Sequence, residues 1–275
     1  MKSNKRTSIL LVIFLAVFCV SSKIFLDQVY RLPILMYHSI DRVSDKNDRM
    51  SVSPDVFERQ MKFLRDNKYN VIPLDKAVSY IKEGKRPPAK TISITIDDGY
   101  SNNFTNAYPV LKKYNLPATI FVITNLVGKE GFMTWDEIKE MSDSGLIDIE
   151  SHTKNHHWLQ HLDDGTLEDE LKGSKDILEH RLGKPVRYLC YPMGNYDERV
   201  KRFTKACGYE AAFATKPKRL LRLSYDLYEI KRVRISRSSN NMFVFFLKTS
   251  GYHAFSKMFK SENKDIPYTL WQKGS

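Results

Sequence analysis

Between residues 32 and 235, about seven or eight short apolar runs alternate with segments patterned as helices. Such alternation confines the chain to a parallel sheet with helical crossovers, because parallel neighbours cannot be joined by a tight turn. The sheet is either open or closed into a barrel. The runs predicted as strands are 32–38, 71–72, 91–96, 117–123, 146–150, 186–191, 211–215 and 229–235. Ser53-Pro54 opens a helix carried by Phe57, Met61 and Leu64, and a second helix runs to Glu83 before Gly84. Ser101 to Asn103 can cap a helix that Pro109 restarts or kinks, and Thr134-Trp-Asp-Glu137 reads as a capping box. Leu167, Leu171, Leu178 and Leu182 mark an amphipathic helix over 166–182, and Val200, Phe203 and Ala206 another that ends at Gly208. Residues 240–275 mix aromatic and charged positions without a clear period. No internal repeat or low-complexity linker divides the chain, so residues 30–275 read as one domain.

Residues 1–29 have a different character. Lys2, Lys5 and Arg6 precede an apolar run from Ile9 to Val20, and Ile24 to Leu26 adds a second patch. A positive start followed by an apolar stretch is the pattern of a secretory signal, or of an uncleaved signal anchor if Lys23 snorkels. Phe18 before Cys19 argues against a lipoprotein cleavage site. Either form puts the body of the protein outside the cytoplasmic membrane, at its outer face, in the cell wall or secreted. The 275 residues carry a formal net charge of +12, which favours anionic surroundings. Lys and Arg are scattered rather than blocked, so nucleic acid is not indicated as a partner, and a monomer is expected. Cys19, Cys190 and Cys207 form neither a CxxC pair nor a disulfide framework.

Functional groups of parallel α/β folds gather at the C-terminal ends of the strands. His38, Asp97, Asp98, His152 and Tyr191 all fall there. The β-branched run Thr91 to Ile96 leads directly into Asp97-Asp98-Gly99. Taken alone, that is an ordinary turn. Alternation nevertheless sends the two carboxylates in different directions, so one can hold a metal while the other moves a proton. His152 and His156, four residues apart, follow the strand 146–150, with His157 and His161 close by. Two imidazoles and a carboxylate suit a divalent metal such as zinc and leave positions open for water and substrate.

Thr95-Ile-Asp-Asp-Gly99, Ser151-His-Thr-Lys-Asn-His156 and Tyr191-Pro-Met-Gly194, in that order, resemble three motifs of the polysaccharide deacetylases (NodB homology, carbohydrate esterase family 4). Pro33-Ile-Leu-Met-Tyr-His38 resembles the PgaB/IcaB-type subgroup, which de-N-acetylates poly-β-1,6-N-acetylglucosamine of biofilms. The resemblance covers roughly residues 33–235 and implies an α/β fold, a distorted (β/α) barrel, circularly permuted in this subgroup. It implies that Asp98, His152 and His156 hold the metal, with zinc expected and cobalt, nickel or iron as alternatives. Asp97 would be the general base and His38 the general acid. The N–H of Tyr191 would assist the oxyanion, while Tyr191, Pro192 and Tyr196 would wall the sugar site. The implied reaction is hydrolysis of N-acetyl groups on an extracellular polysaccharide.

Three departures from the family pattern stand out. The residue after His156 is His157 where many members have proline, and a five-residue spacing would select His157 instead. Cys190 stands two residues before Pro192, where many members carry an arginine, so Arg232 or Arg234 would have to support the base. No late Leu-x-x-x-His motif is evident, which leaves His38 as the acid and His253 as its alternative. Peptidoglycan or chitin-like N-deacetylation, xylan O-deacetylation and an inactive carbohydrate-binding relative are the competing readings.

Overall fold

The computed structural model describes residues 2–42, 48, 50–215 and 226–253. Its strands are β1 (Ile34–Tyr37), β2 (Asn70–Val71), β3 (Thr91–Ile96), β4 (Ala118–Val122), β5 (Ile147–Ser151), β6 (Tyr188–Cys190), β7 (Ala211–Ala214), β8 (Ile230–Lys231) and β9 (Val233–Arg234). All pair in parallel, in the order β8-β7-β6-β5-β4-β3-β1-β9, and β2 extends the sheet beside the start of β3. The two outer members of this order are adjacent in sequence. Phe213 pairs with Ile230 before Arg232, and Leu35 pairs with Val233 after it. One extended segment therefore stitches both edges of the sheet, and the result is a nearly closed barrel with its seam at Arg232. The expected single strand 229–235 is split in two because its pairing partner changes at Arg232, from β7 to β1; the Arg232 side chain faces inward and is 3% exposed.

Alternation along each strand separates two apolar layers. Leu35, Ile92, Ile94, Ile96, Ile120, Ile149 and Leu189 face outward against Phe57, Met61, Leu111, Ile138, Leu171 and Leu178 of the surrounding helices. The opposite parity packs Ile34, Phe121, Tyr188, Cys190, Phe213 and Ile230 together with Leu74, Ala77 and Val78 of the helix Leu74–Lys82. Each fully buried aliphatic or aromatic side chain contributes about 1.5–3 kcal/mol. Thr95, Asp97, Phe121, Glu150, His152 and Cys190 share the inward parity. This is what aims Asp97 and His152 at the barrel mouth.

Two helices depart from the expected regular form. The predicted helix 166–182 begins at Asp164, with Asp163 capping Thr166 N–H, and widens into a π-turn over Asp169–Gly173. The helix after Ser101 likewise opens with a π-turn over Asn103–Ala107 before Tyr108–Tyr114. A π-turn inserts one extra residue and so rotates a side chain to a new face. Here the rotated residues are Glu170 and Asn103, both buried.

The apolar N-terminal run lies on one helix, Lys2–Val29, with Ile9 to Val20 exposing their large side chains. Among the described residues, no helix is long and apolar enough to cross a membrane, so the anchored form of the expectation finds no support there. In the region without a sequence assignment, a helix forms over Met242–Thr249, while residues 254–275 lie outside the described set.

Candidate active site

Asp97 leaves β3 on the inward face and is 2% exposed. Arg232 donates to both of its oxygens, Nη1 to Oδ1 and Nη2 to Oδ2, each at 2.6 Å. The same guanidinium donates to Thr95 Oγ1 at 3.0 Å and to Cys190 Sγ at 2.9 Å. Burial opposes ionisation of Asp97, but the Arg232 charge outweighs it and holds the carboxyl below its usual range. The arginine missing from position 190 is thus replaced spatially from the barrel seam. Arg234 is exposed and contacts Met50 instead.

Asp98 breaks the alternation with a left-handed backbone, φ 76°, and swings to the other side. Its Oδ1 lies 3.3 Å from His152 Nε2 and 3.8 Å from His156 Nε2. Burial works against its charge, yet hydrogen bonding from His152 keeps the carboxyl well below the ordinary range. Tyr100 stacks on Phe132, and burial, followed by the nearby Asp98 charge, pushes its hydroxyl pKa up. His152 Nδ1 lies 2.8 Å from the Cys190 carbonyl, which fixes that nitrogen as an N–H donor, and burial is outweighed by Cys190 and Asp98, which raise the imidazole's pKa and keep a proton on Nε2 toward Asp98. Burial, followed by neighbouring His152, pushes His156 down to about 4, so its imidazole is neutral at physiological pH.

Ligand atoms of Asp98, His152 and His156 lie within 4.8 Å of one another. With His152 Nδ1 tied to a carbonyl and the His156 imidazole neutral, this donor set fits a small divalent cation, whose binding would displace the proton from His152 Nε2. His157 points elsewhere: its Nδ1 pairs with Glu170 Oε1 at 3.2 Å, and its side chain is 54% exposed. Glu170 also accepts from the backbone N–H of Lys154 and Asn155, at 3.1 and 2.8 Å. It therefore braces the whole histidine loop from the π-turn. Nothing in the spacing of residues 164–182 singled Glu170 out, since a carboxylate on an amphipathic helix reads as solvated.

His38, past the end of β1, places Nε2 3.8 Å from Asp97 Oδ2. Its Nδ1 is buried without a hydrogen-bond partner, and Asn103 Nδ2 donates to its backbone carbonyl at 2.9 Å. Burial lowers its pKa. His253 belongs to the far end of the barrel, where neighbouring Gly251 accepts from Arg31 N–H ahead of β1.

The Tyr191-Pro192 expectations need correction. Tyr191 has outward parity, is 1% exposed, and donates its hydroxyl to Tyr228 O. Tyr196 stacks on it and donates to Glu229 Oε2. Pro192 is buried as well. These rings are packing and do not wall a sugar site. The Tyr191 N–H bonds Phe213 O at 3.0 Å in the sheet and is not free for an oxyanion. The next N–H along this loop belongs to Met193, which has φ 57°. Gly194, at φ 69°, must be glycine, since a Cβ there would lie 1.8 Å from Thr215 Oγ1.

Of the seven non-glycine residues with positive φ among those described, four are Asp98, Thr153, His156 and Met193. Each such residue costs about 1–3 kcal/mol, and strain of this kind concentrates where function requires it.

The sequence profile of the polysaccharide deacetylases matches residues 84–212. YxkH of Bacillus subtilis, assigned to the polysaccharide deacetylases, is 36% identical over 206 residues, covering 75% of this chain and 72% of the relative. A poly-beta-1,6-N-acetyl-D-glucosamine N-deacetylase of Staphylococcus aureus is 33% identical over 199 residues, 68% of each chain. Among solved structures, the deacetylase PplD of Streptococcus pyogenes, in complex with acetate, aligns with a TM-score of 0.71 at 29% identity, over 80% of this chain and 97% of that one. IcaB from Ammonifex degensii aligns with a TM-score of 0.68 at 25% identity, with the same coverage.

Proposed function

The chain belongs to the polysaccharide deacetylase family, and from that premise we propose that it removes N-acetyl groups from poly-β-1,6-N-acetylglucosamine outside the cell, with a divalent metal, zinc first, held by Asp98, His152 and His156. The observation that carries the reading is the division of labour between two adjacent carboxylates. Asp97 is bound by an arginine, and Asp98 faces two imidazoles.

When bound, the ion would supply Lewis acidity, favouring hydroxide at neutral pH and polarising the acetamide carbonyl. Asp97, kept ionised by Arg232, takes a proton from the attacking water. That water oxygen bonds to the acetamide carbon. The C–N bond then breaks, His38 delivers a proton to the leaving amine, and acetate departs. The lowered pKa of His38 makes it a strong donor once protonated. The Met193 N–H is the candidate oxyanion donor on the 191–194 loop.

The S. aureus relatives favour poly-β-1,6-N-acetylglucosamine over other acetylated glycans. The basic and apolar start of the chain supports its role as an export signal, with residues 30–275 as the catalytic domain. Deacetylation would make the polymer cationic and promote its attachment to anionic surfaces. The test is acetate release from poly-β-1,6-N-acetylglucosamine and from peptidoglycan, side by side, with zinc or cobalt added. Faster release from the former is expected. Release from peptidoglycan alone would overturn the substrate assignment.

A further inference from the structure

Among the described residues outside the N-terminal helix, the large apolar side chains found exposed are Trp158, Phe243 and Phe246. Trp158 is set apart by its position. It follows His156 by two residues, on the loop that carries this candidate ligand, and is 40% exposed. Its ring lies nearly parallel to that of His161, with 8° between the planes and 5.7 Å between centroids.

The segment carrying it is fixed on both sides. Upstream, Glu170 holds the N–H groups of Lys154 and Asn155. Downstream, Leu159 is 1% exposed, and His161 N–H bonds Trp158 O at 3.0 Å. Arg199 donates to Leu162 O and to Asp164 Oδ1, each at 2.5 Å. An indole left partly in water forgoes much of the free energy that its burial would provide. A braced loop that presents it beside the candidate active site gives that exposure a use: a rigid aromatic surface that loses little entropy on binding.

We propose that Trp158, backed by His161, is a platform for a hexosamine ring of the substrate chain, one that neighbours the unit whose acetamide reacts. The apolar C–H face of a pyranose packs on an indole, while its hydroxyls stay in water. The proposal deepens the deacetylase reading and rests on it. A polymer must run across the barrel mouth past the histidine loop, and Trp158 is the exposed aromatic on that loop.

The test uses a β-1,6-linked N-acetylglucosamine pentamer and Trp158→Ala and Trp158→Phe variants. Binding is followed by isothermal titration calorimetry and by intrinsic fluorescence, both in the zinc-loaded Asp97→Asn protein, and acetate release is measured in the active protein. The pentamer should shift the emission, and Trp158→Phe should abolish that shift although Trp135 and Trp271 remain. Trp158→Ala should weaken pentamer binding about tenfold, the upper end for one aromatic contact, with Trp158→Phe recovering most of it. Unchanged pentamer affinity and an unchanged rate of acetate release in Trp158→Ala would overturn the platform and leave the deacetylase reading standing. A Trp158-dependent emission shift without acetate release by the active protein would do the reverse.

Discussion

Arg232 and Asp97 face each other through two parallel hydrogen bonds of 2.6 Å, one to each carboxylate oxygen, at the point where the barrel closes. The pair ties architecture to chemistry, because the residue that separates β8 from β9 is also the one that keeps Asp97, the proposed base, ionised. Removing one partner of a buried pair leaves the other uncompensated. Arg232→Leu should therefore destabilise the protein by about 3–5 kcal/mol in urea unfolding. Arg232→Lys keeps the charge but loses the fork, and should fall between wild type and Arg232→Leu in both stability and acetate release.

The two neighbouring histidines should separate cleanly in metal binding. His156 faces Asp98, whereas His157 faces Glu170 and solvent. By zinc titration calorimetry, His156→Ala should weaken binding by at least about 100-fold, beyond the usual effect of losing a supporting residue. His157→Ala should change it by less than about threefold, since His157 supports no ligand directly. Equal losses would place both histidines around the ion.

Much of this geometry was legible in the strand pattern. Asp97, Asp98, His152 and His38 follow apolar runs, and parallel topology brings such ends together without any contact being known. Arg232 was legible only as one of two arginines on a late strand, and the inward turn that distinguishes it from Arg234 depends on where the barrel closes. Glu170 was invisible because a π-turn has no composition signature. The Tyr191 and Tyr196 rings were misread as site walls because their motif position is right, while the parity of β6 points Tyr191 into the outer layer.

Glu150 predicts a pH dependence of stability. Its carboxyl is fully buried beside Asp148, and Oε2 accepts from Arg187 N–H and Tyr188 N–H. Burial, followed by Asp148, raises its pKa well above the ordinary range. A carboxyl with a raised folded pKa contributes its stability in full below the unfolded value of about 4.3, and loses it as pH rises toward the folded value. Glu150→Gln keeps an acceptor for both N–H groups and removes the ionisation. Its Tm should exceed that of wild type at pH 8 and converge with it near pH 4.5. Each 1 kcal/mol corresponds to roughly 2–4 °C. A Tm difference independent of pH would contradict this assignment.

Gly194 should tolerate no side chain. A Cβ would meet Thr215 Oγ1 at 1.8 Å and its backbone nitrogen at 2.7 Å, at φ 69°. Gly194→Ala should cost about 1–2 kcal/mol from the left-handed backbone alone, with the clash adding to it. Thermal unfolding checks the stability. Acetate release should fall as well, because Met193 would shift with the loop.

The most direct measurement of the central claim is acetate release from poly-β-1,6-N-acetylglucosamine by wild-type and Asp97→Asn protein, with bound zinc quantified in the same samples. The wild type should release acetate, and Asp97→Asn should fall by about 10²–10⁴-fold, the range for loss of a general base, while retaining its zinc. Wild-type turnover in Asp97→Asn, or loss of zinc along with activity, would contradict the separation of the two carboxylates into base and ligand.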